Sequence, residues 1–485
     1  MIPATHIDLY QLTSLVPHHL AGRTDEKVVM AFFSRRLPRN AAKENARGYL
    51  LWAGLTRCLD HLEQARFDDT RIEALLAEPL LGPTLRQHPD LVDKLRNWHF
   101  SGTIRAPREG TPLFAGPART MDGQLVDVDQ VRPAAYCPYL EIETDLLSAK
   151  LIETPLLSII NHMTMVASKA SRVVQAAASV GQGKVLEFGQ RRTHPDAAVD
   201  AAVAAWIAGC AATSNVEAYT RHGVPVTGTM DHFAIQAWER EGVPRHETEE
   251  AFFRSFHEQF PGRDTLLVDT YDTFGERTGI RAAVRATDGV GPAAIRLDSN
   301  LTVENIQRAR DLLDDLGAAH TRIAVSGGMD EHSITALGSA PVDGYGVGER
   351  IVTSPDAPVG VGAVGKLSII GGQPTMKLSR SSGKATLPGR LQVWRTRIDE
   401  ELFDVVTPHD VERSGEPLLH TVWDASGRRP IPTLSEAREH ALTEVARLPE
   451  ALRALTPPSG APPLFVDEAL VSRIRGCVDA ALTSS

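Results

Sequence analysis

His232 stands beside Asp231 in GTMDHF, and an imidazole next to a carboxylate can serve as a base or a nucleophile. Asp298 in IRLDSN ends an apolar run, where a carboxylate can accept hydrogen bonds from two sugar hydroxyls, cap the next helix or hold Mg²⁺ through water. Asp269 and Asp272 in VDTYDT carry the same choice, since paired acids at turns often cap locally. Ser326-Gly327-Gly328 and Gly346-Val347-Gly348 offer backbone N–H groups to a phosphate with no Cβ in the way, and Arg350 and Lys366 stand nearby in sequence. Tyr10, Phe188 and Arg191 suit a flat, acidic ring: aromatic faces stack, and a guanidinium pairs with a carboxylate. No GxxxxGK[ST] occurs, which argues against an ATP P-loop.

These residues need elements to place them, and the middle of the chain supplies a pattern. Apolar strands are predicted over Lys184–Phe188, Val224–Thr229, Thr265–Tyr271, Ala293–Asp298, Arg322–Ser326 and Val342–Val347. Helical patterns intervene, over Pro195–Thr213, Val303–Leu316 and Asp330–Leu337, and Ser214 with Glu217 fits a capping box opening a short helix. Such alternation implies parallel βα units, whose strand carboxyl ends hold active sites. His232, Asp269, Asp298 and both glycine pairs follow strands, so they converge on one polar mouth. The alternation alone leaves open sheet and closed barrel both possible.

Composition bounds the partners. The 485 residues carry 51 basic and 61 acidic side chains, a net charge of −10 that disfavours nucleic acid as a partner. Apolar residues at 42% and charged residues at 23% are a globular balance. The most apolar segment, Ala197–Thr213, contains Asp200 and reads as a buried helix, so no membrane partner is expected. Cys58, Cys137, Cys210 and Cys477 form no CxxC pair, which fits a cytoplasmic protein without a disulfide framework.

The chain resembles the nicotinate phosphoribosyltransferase family along nearly its whole length. The segments that carry the resemblance include DLYQLT, GYLLWAGL, LEFGQRRTHPD, TSNV, GVPVTGTMDH, LLVDTYDT, IRLDS, YGVGERIVTS and KATLPGRLQVWR, in order. The resemblance implies an α/β fold: an irregular α/β barrel plus an α/β sandwich domain built from N- and C-terminal segments. Residues 1–136 and 373–485 would form the sandwich domain and 137–372 the barrel. It implies that nicotinate and 5-phosphoribosyl 1-pyrophosphate give nicotinate mononucleotide and pyrophosphate, a salvage entry to NAD, in a homodimer with shared active sites. ATP would be a co-substrate, hydrolysed through a phosphorylated His232, and Mg²⁺ would accompany the phosphates.

Position by position, the resemblance implies that Phe188 and Tyr10 stack on the pyridine ring, with Tyr10 given by the partner subunit. It implies that Arg191 meets the ring carboxylate, and that Ser214 stands where nicotinamide-using relatives have an aspartate. Asp298 would bind the ribose hydroxyls and Arg296 lie near the phosphates. Gly327, Gly328, Gly346 and Gly348 would cradle the 5′-phosphate, while Arg35 and Lys377 would contact pyrophosphate. Several residues depart from the family pattern: Asp231 before the histidine, Asn300-Leu301 in place of Gly-Asp, Gly365 in place of a tyrosine, Ile7 before Asp8, and Cys210-Ala211. Asp231 would repel a phosphate on His232. Two other readings are an enzyme of the same fold acting without ATP on another pyridine or on nicotinate mononucleotide, and a non-catalytic nucleotide-binding homologue.

Overall fold

Short apolar runs become the walls of a curled sheet. The computed structural model describes residues 2–39, 46–181, 183–353, 361–380, 383–399, 401–456 and 462–483; Ser354, which ends the YGVGERIVTS segment, lies outside them. Six parallel strands are β1 (Lys184–Glu187), β2 (Ala212–Thr213), β3 (Thr265–Leu267), β4 (Ala294–Leu297), β5 (Arg322–Val325) and β6 (Gly344–Val347). Val185, Leu266, Leu267, Ile295, Ile323 and Val325 are buried, as strands covered on both faces require. The hydrogen-bonded order is β2-β1-β6-β5-β4-β3. Chain order thus follows spatial order from β3 to β6, and β6 returns beside β1, as in an irregular barrel.

The barrel does not close by backbone pairing among the described residues. The strand expected over Val224–Thr229 is reduced to a single bridge, Thr213↔Val226. Pro225 lacks the N–H a ladder needs, and only its carbonyl takes part, accepting from Thr213 N at 2.9 Å. Beyond it, Met230 lines the gap: its carbonyl accepts from Arg296 Nη2 at 3.0 Å, and its Sδ accepts from Leu267 N at 3.3 Å.

The chain divides into two compact units, Lys169–Pro355 and the pair Met1–Ser168 with Asp356–Ser485. The first holds the barrel. The second holds a seven-stranded sheet in which Ala363–Ile370 and Leu140–Asp145 flank Lys27–Ser34, both antiparallel to it. That pairing draws these two segments, expected in the barrel, into the other unit. His420–Asp424 pairs with Thr103–Ala106 in the same sheet, and Leu391–Ile398 with Glu401–Pro408 in a four-stranded one. This unit is therefore built from both ends of the chain. Among the described residues no helix is long and apolar enough to cross a membrane.

Candidate active site at the carboxyl ends of the barrel strands

His232 begins a five-residue helix, His232–Gln236, after the Val226 bridge. Its Nδ1 lies 3.0 Å from Thr270 Oγ1, just past β3, and its Nε2 lies 3.9 Å from Asp269 Oδ1. The imidazole is 41% exposed while the Asp269 side chain is only 3% exposed. Asp231 is the N-cap: its carboxylate accepts from Ala234 N at 3.0 Å, so its charge is engaged with the helix end. Asp272 caps the following turn by accepting from Phe274 N at 3.0 Å, and the two acids of VDTYDT have different tasks.

Asp269 organises the next strand end. Its Oδ2 accepts from Asp298 N at 2.9 Å and from Ser299 Oγ at 2.7 Å. Its Oδ1 is buried without a hydrogen-bond partner and faces the histidine. Asp298 in turn accepts from Ser326 Oγ at the end of β5. Arg296, on β4, donates to the Met230 carbonyl, but its Nε is buried with no partner. Burial pushes the Arg296 guanidinium below its usual range, while Asp298, Asp269 and Asp231 pull it back up and Arg191 adds to the lowering. Three acids and two guanidinium groups thus share one field, with both signs available to a substrate that carries separate hydroxyl and anionic groups.

Gly327 and Gly328 follow β5 at φ +95° and +70°, and a Cβ on Gly327 would collide with the Asp298 carbonyl. They line a cavity of about 470 Å³ with Asp298, Asn300, Leu301 and Ser333. Asn300 and Leu301 are thus cavity wall, and Asn300 turns the chain at φ +51°. Gly346 and Gly348 make room for a neighbour: a Cβ on Gly346 would stand 2.5 Å from the Phe188 ring, and one on Gly348 2.7 Å from the Phe188 carbonyl.

Phe188 and Arg191 occupy the loop after β1, with Arg191 exposed in the turn Gln190–Arg192. Ser214 follows β2, and its N donates to the Glu187 carbonyl at 2.9 Å. The helix after it, Val216–His222, is capped by Asn215, whose side chain accepts from Ala218 N; this single cap, one residue on, stands in place of the capping box expected at Ser214 and Glu217. The short strand β2 sets that register, since Thr213 is held in the ladder.

Tyr10, Arg35 and Lys377 belong to the other unit. Tyr10 is 55% exposed, with Lys150 Nζ 5.4 Å from its ring centroid. Arg35 lies 5.9 Å from the Phe33 ring centroid, and its Nε is buried without a partner. Lys377 is exposed, and its backbone N donates to Thr386 Oγ1 at 3.0 Å. Lys366 Nζ is 3.6 Å from Glu153. Gly365 pairs with Phe32 in the sheet, and a Cβ there would press on Glu153 at 3.0 Å. Sequence reasoning missed Glu187, Thr213, Asn215 and Thr270. For Glu187 a signal existed, a lone acid inside an apolar strand.

Residues 5–161 match the nicotinate phosphoribosyltransferase N-terminal domain, and residues 166–357 match the quinolinate phosphoribosyl transferase C-terminal domain. Nicotinate phosphoribosyltransferase pncB1 of Mycobacterium tuberculosis is 38% identical over 448 residues, covering 88% of this chain and 90% of that protein. The nicotinate phosphoribosyltransferase of Bacillus subtilis is 34% identical over 400 residues, covering 80% and 72%. The crystal structure of human nicotinic acid phosphoribosyltransferase shares the fold, with a TM-score of 0.78 and 24% identity over 97% of this chain and 99% of that one. Nicotinate-nucleotide pyrophosphorylase from Pyrococcus furiosus also shares it, with a TM-score of 0.66 and 23% identity over 92% and 95%. On an identity of 38% sustained across most of both sequences, this chain belongs to the nicotinate phosphoribosyltransferase family.

Proposed function

We propose that this enzyme joins nicotinate to 5-phosphoribosyl 1-pyrophosphate, releasing pyrophosphate and forming nicotinate mononucleotide. The observation that carries the reading is the convergence of Phe188, Arg191, Ser214, His232, Arg296, Asp298 and Gly327-Gly328 on the strand ends of one barrel. Phe188 offers a ring face to the pyridine and Arg191 a guanidinium to its carboxylate. Ser214 leaves that carboxylate unopposed, where an aspartate would repel it. Asp298 takes the ribose hydroxyls, and the amides of Gly327 and Gly328 take the 5′-phosphate, with Gly346 and Gly348 completing the rim. Arg35 and Lys377 are assigned to the pyrophosphate.

As the glycosidic bond breaks, positive charge grows on the ribose and negative charge on the departing pyrophosphate. The carboxylates of Asp269 and Asp298 favour the first, and Arg296 favours the second. Among the described residues no group of three or more His, Cys, Asp or Glu side chains is placed to hold a metal. If Mg²⁺ accompanies the diphosphate, the Asp298 carboxylate would meet it through water, and the ion would supply neutralisation of the leaving charge.

ATP coupling is assigned to His232. Thr270 Oγ1 holds one ring nitrogen and Asp269 faces the other, so the ring is oriented before any phosphoryl group reaches it. Asp231 accepts from Ala234 N at the helix end, and Arg296 is the cation that offsets its charge near the histidine. The exposure of Tyr10 suits a homodimer in which each copy gives this ring to the other's pyridine site. The charge and cysteine pattern fit work in the cytoplasm.

The test is product formation from 5-phosphoribosyl 1-pyrophosphate with nicotinate, nicotinamide or quinolinate, each with and without ATP. Nicotinate-specific synthesis stimulated by ATP is expected. Product from a different pyridine would move the assignment to an enzyme of the same fold with a changed base. A second test concerns the histidine. His232→Ala should abolish ATP hydrolysis and leave ATP-independent transfer measurable, whereas ATP hydrolysis surviving in that variant would remove the phosphohistidine role.

A further inference from the structure

We propose that Glu187 is a positioning residue for base recognition, tying the loop that carries Phe188 and Arg191 to the strand end that carries Ser214. This rests on the base-binding assignment above and adds the residue that holds it in place. One Glu187 carboxylate oxygen accepts from Gly189 N, and the other accepts from Thr213 Oγ1 at 2.5 Å. Glu187 and Thr213 are ladder partners across β1 and β2, which puts their side chains on the same face of the sheet. Thr213 Oγ1 accepts from Asn215 N at 3.0 Å, and Asn215 Nδ2 donates to Gln190 Oε1. The bonds therefore close a ring from the loop after β1 to the end of β2 and back to the loop.

Glu187, Thr213 and Asn215 are each 1% exposed, so water does not compete for these bonds. The partners facing Glu187 are an amide N–H and a hydroxyl, both donors. A carboxylate supplies two acceptors and no donor, which few side chains of this length can do. Burial raises the Glu187 carboxyl, while the Thr213 and Gly189 donors pull it back down. Gly189 is also fixed sterically, because a Cβ there would stand 2.5 Å from both Glu187 Oε1 and Val352 Cγ1. Gly327 and Gly328 of the assigned phosphate cradle follow β5, outside this ring, and Gly346 and Gly348 meet Phe188 without taking any bond of the ring, so donor binding should change far less than base binding.

Glu187→Met fills the space but removes both acceptors, and Glu187→Gln restores one of them. In the full-length enzyme, Glu187→Met should raise KM for nicotinate about tenfold, with KM for 5-phosphoribosyl 1-pyrophosphate within twofold of wild type. Glu187→Gln should recover most of the loss. In an Arg191→Ala background the Glu187→Met effect should shrink to less than threefold, since the residue it positions is gone. Equal changes in both KM values, or the same factor in both backgrounds, would overturn the proposal. Hydrogen exchange of residues 188–192 reads positioning without substrate: it should quicken in Glu187→Met and stay near wild type in Glu187→Gln. Unchanged exchange in Glu187→Met overturns the proposal as well. If Arg191→Ala alone leaves the nicotinate KM unchanged, the base-binding assignment fails, and the exchange data still decide the role of Glu187. Should Glu187→Met not fold, Thr213→Val removes one link and carries the same expectations at smaller size.

Discussion

Arg191 and Arg296 show how differently two guanidinium groups can be prepared. Arg296 is largely buried among acids with one nitrogen unpartnered, whereas Arg191 is exposed on a short turn. An exposed guanidinium gives up little to bind a carboxylate, so its contribution should appear almost wholly in substrate affinity. Arg191→Ala should raise KM for nicotinate roughly 30-fold, the equivalent of about 2 kcal/mol for one charge-assisted pair. KM for nicotinamide should barely move, because it has no carboxylate to lose; steady-state kinetics with both bases would check this, and an unchanged nicotinate KM would defeat the assignment. His232, Asp269 and Asp298 were legible because each follows an apolar run, a pattern local in sequence, whereas Arg296 lies within β4 and was marked only by the family resemblance. The bonds that tie Glu187, Thr213 and Asn215 together were not legible, because they join residues 26 and 25 positions apart, at Glu187–Thr213 and Gln190–Asn215. Asp231 was read through its charge beside His232, while its role at the helix end depends on an amide three residues on.

At the scale of elements, the barrel was readable as strand–helix alternation, and what escaped was how short the strands are. Thr265–Tyr271 was expected, yet only Thr265–Leu267 pairs, because Asp269 leaves the ladder to hold the end of β4. That loop runs on to Gly279, whose N donates to Glu249 at 2.9 Å. Glu249 is fully buried, and burial raises its carboxyl to about 7, with Asp272 adding to the rise and the Gly279 bond and Arg285 opposing it. A raised folded-state value means the native protein holds this proton more tightly than the unfolded chain. Its stabilising contribution is then full below the ordinary carboxylate range and is lost as pH rises through about 7. Glu249→Gln should flatten that decline, so that urea unfolding at pH 8 finds the variant more stable than wild type by roughly 1–3 kcal/mol. Parallel stability curves from pH 5 to 8 would refute it. Gly346 belongs to the same scale. Gly346→Ala would drive a methyl into the Phe188 ring, so nicotinate binding should weaken at least tenfold while the fold survives, as kinetics and a melting curve together would report.

At the scale of the whole molecule, the unit built from both chain ends is joined by charge as well as by strands. Arg105, in an early strand, donates to the Leu391 carbonyl at 2.9 Å, and Glu141 accepts from Leu391 N at 2.8 Å. Arg395 has no exposed side-chain surface; it donates two bonds of 2.8 Å to Asp404 and one of 2.7 Å to the Pro112 carbonyl. The pairing of these groups was not legible in the sequence, where Arg395 ends the KATLPGRLQVWR segment with nothing local to mark its partner in Asp404 or Pro112. Their burial has a definite consequence, because removing one partner leaves the other charge stranded, whereas removing both need not. Arg395→Met should lower unfolding stability by about 3–5 kcal/mol. Arg395→Met with Asp404→Leu should recover much of that loss, since Glu444 keeps its own partner in Arg397 at 2.5 Å. The Pro112 carbonyl stays unpaired in both variants, so recovery should stop short of wild type by about 1–2 kcal/mol. Urea denaturation followed by tryptophan fluorescence measures all three proteins. A single variant that costs under about 1 kcal/mol, or a double variant no better than the single, would show that the two ends are held by the strands alone.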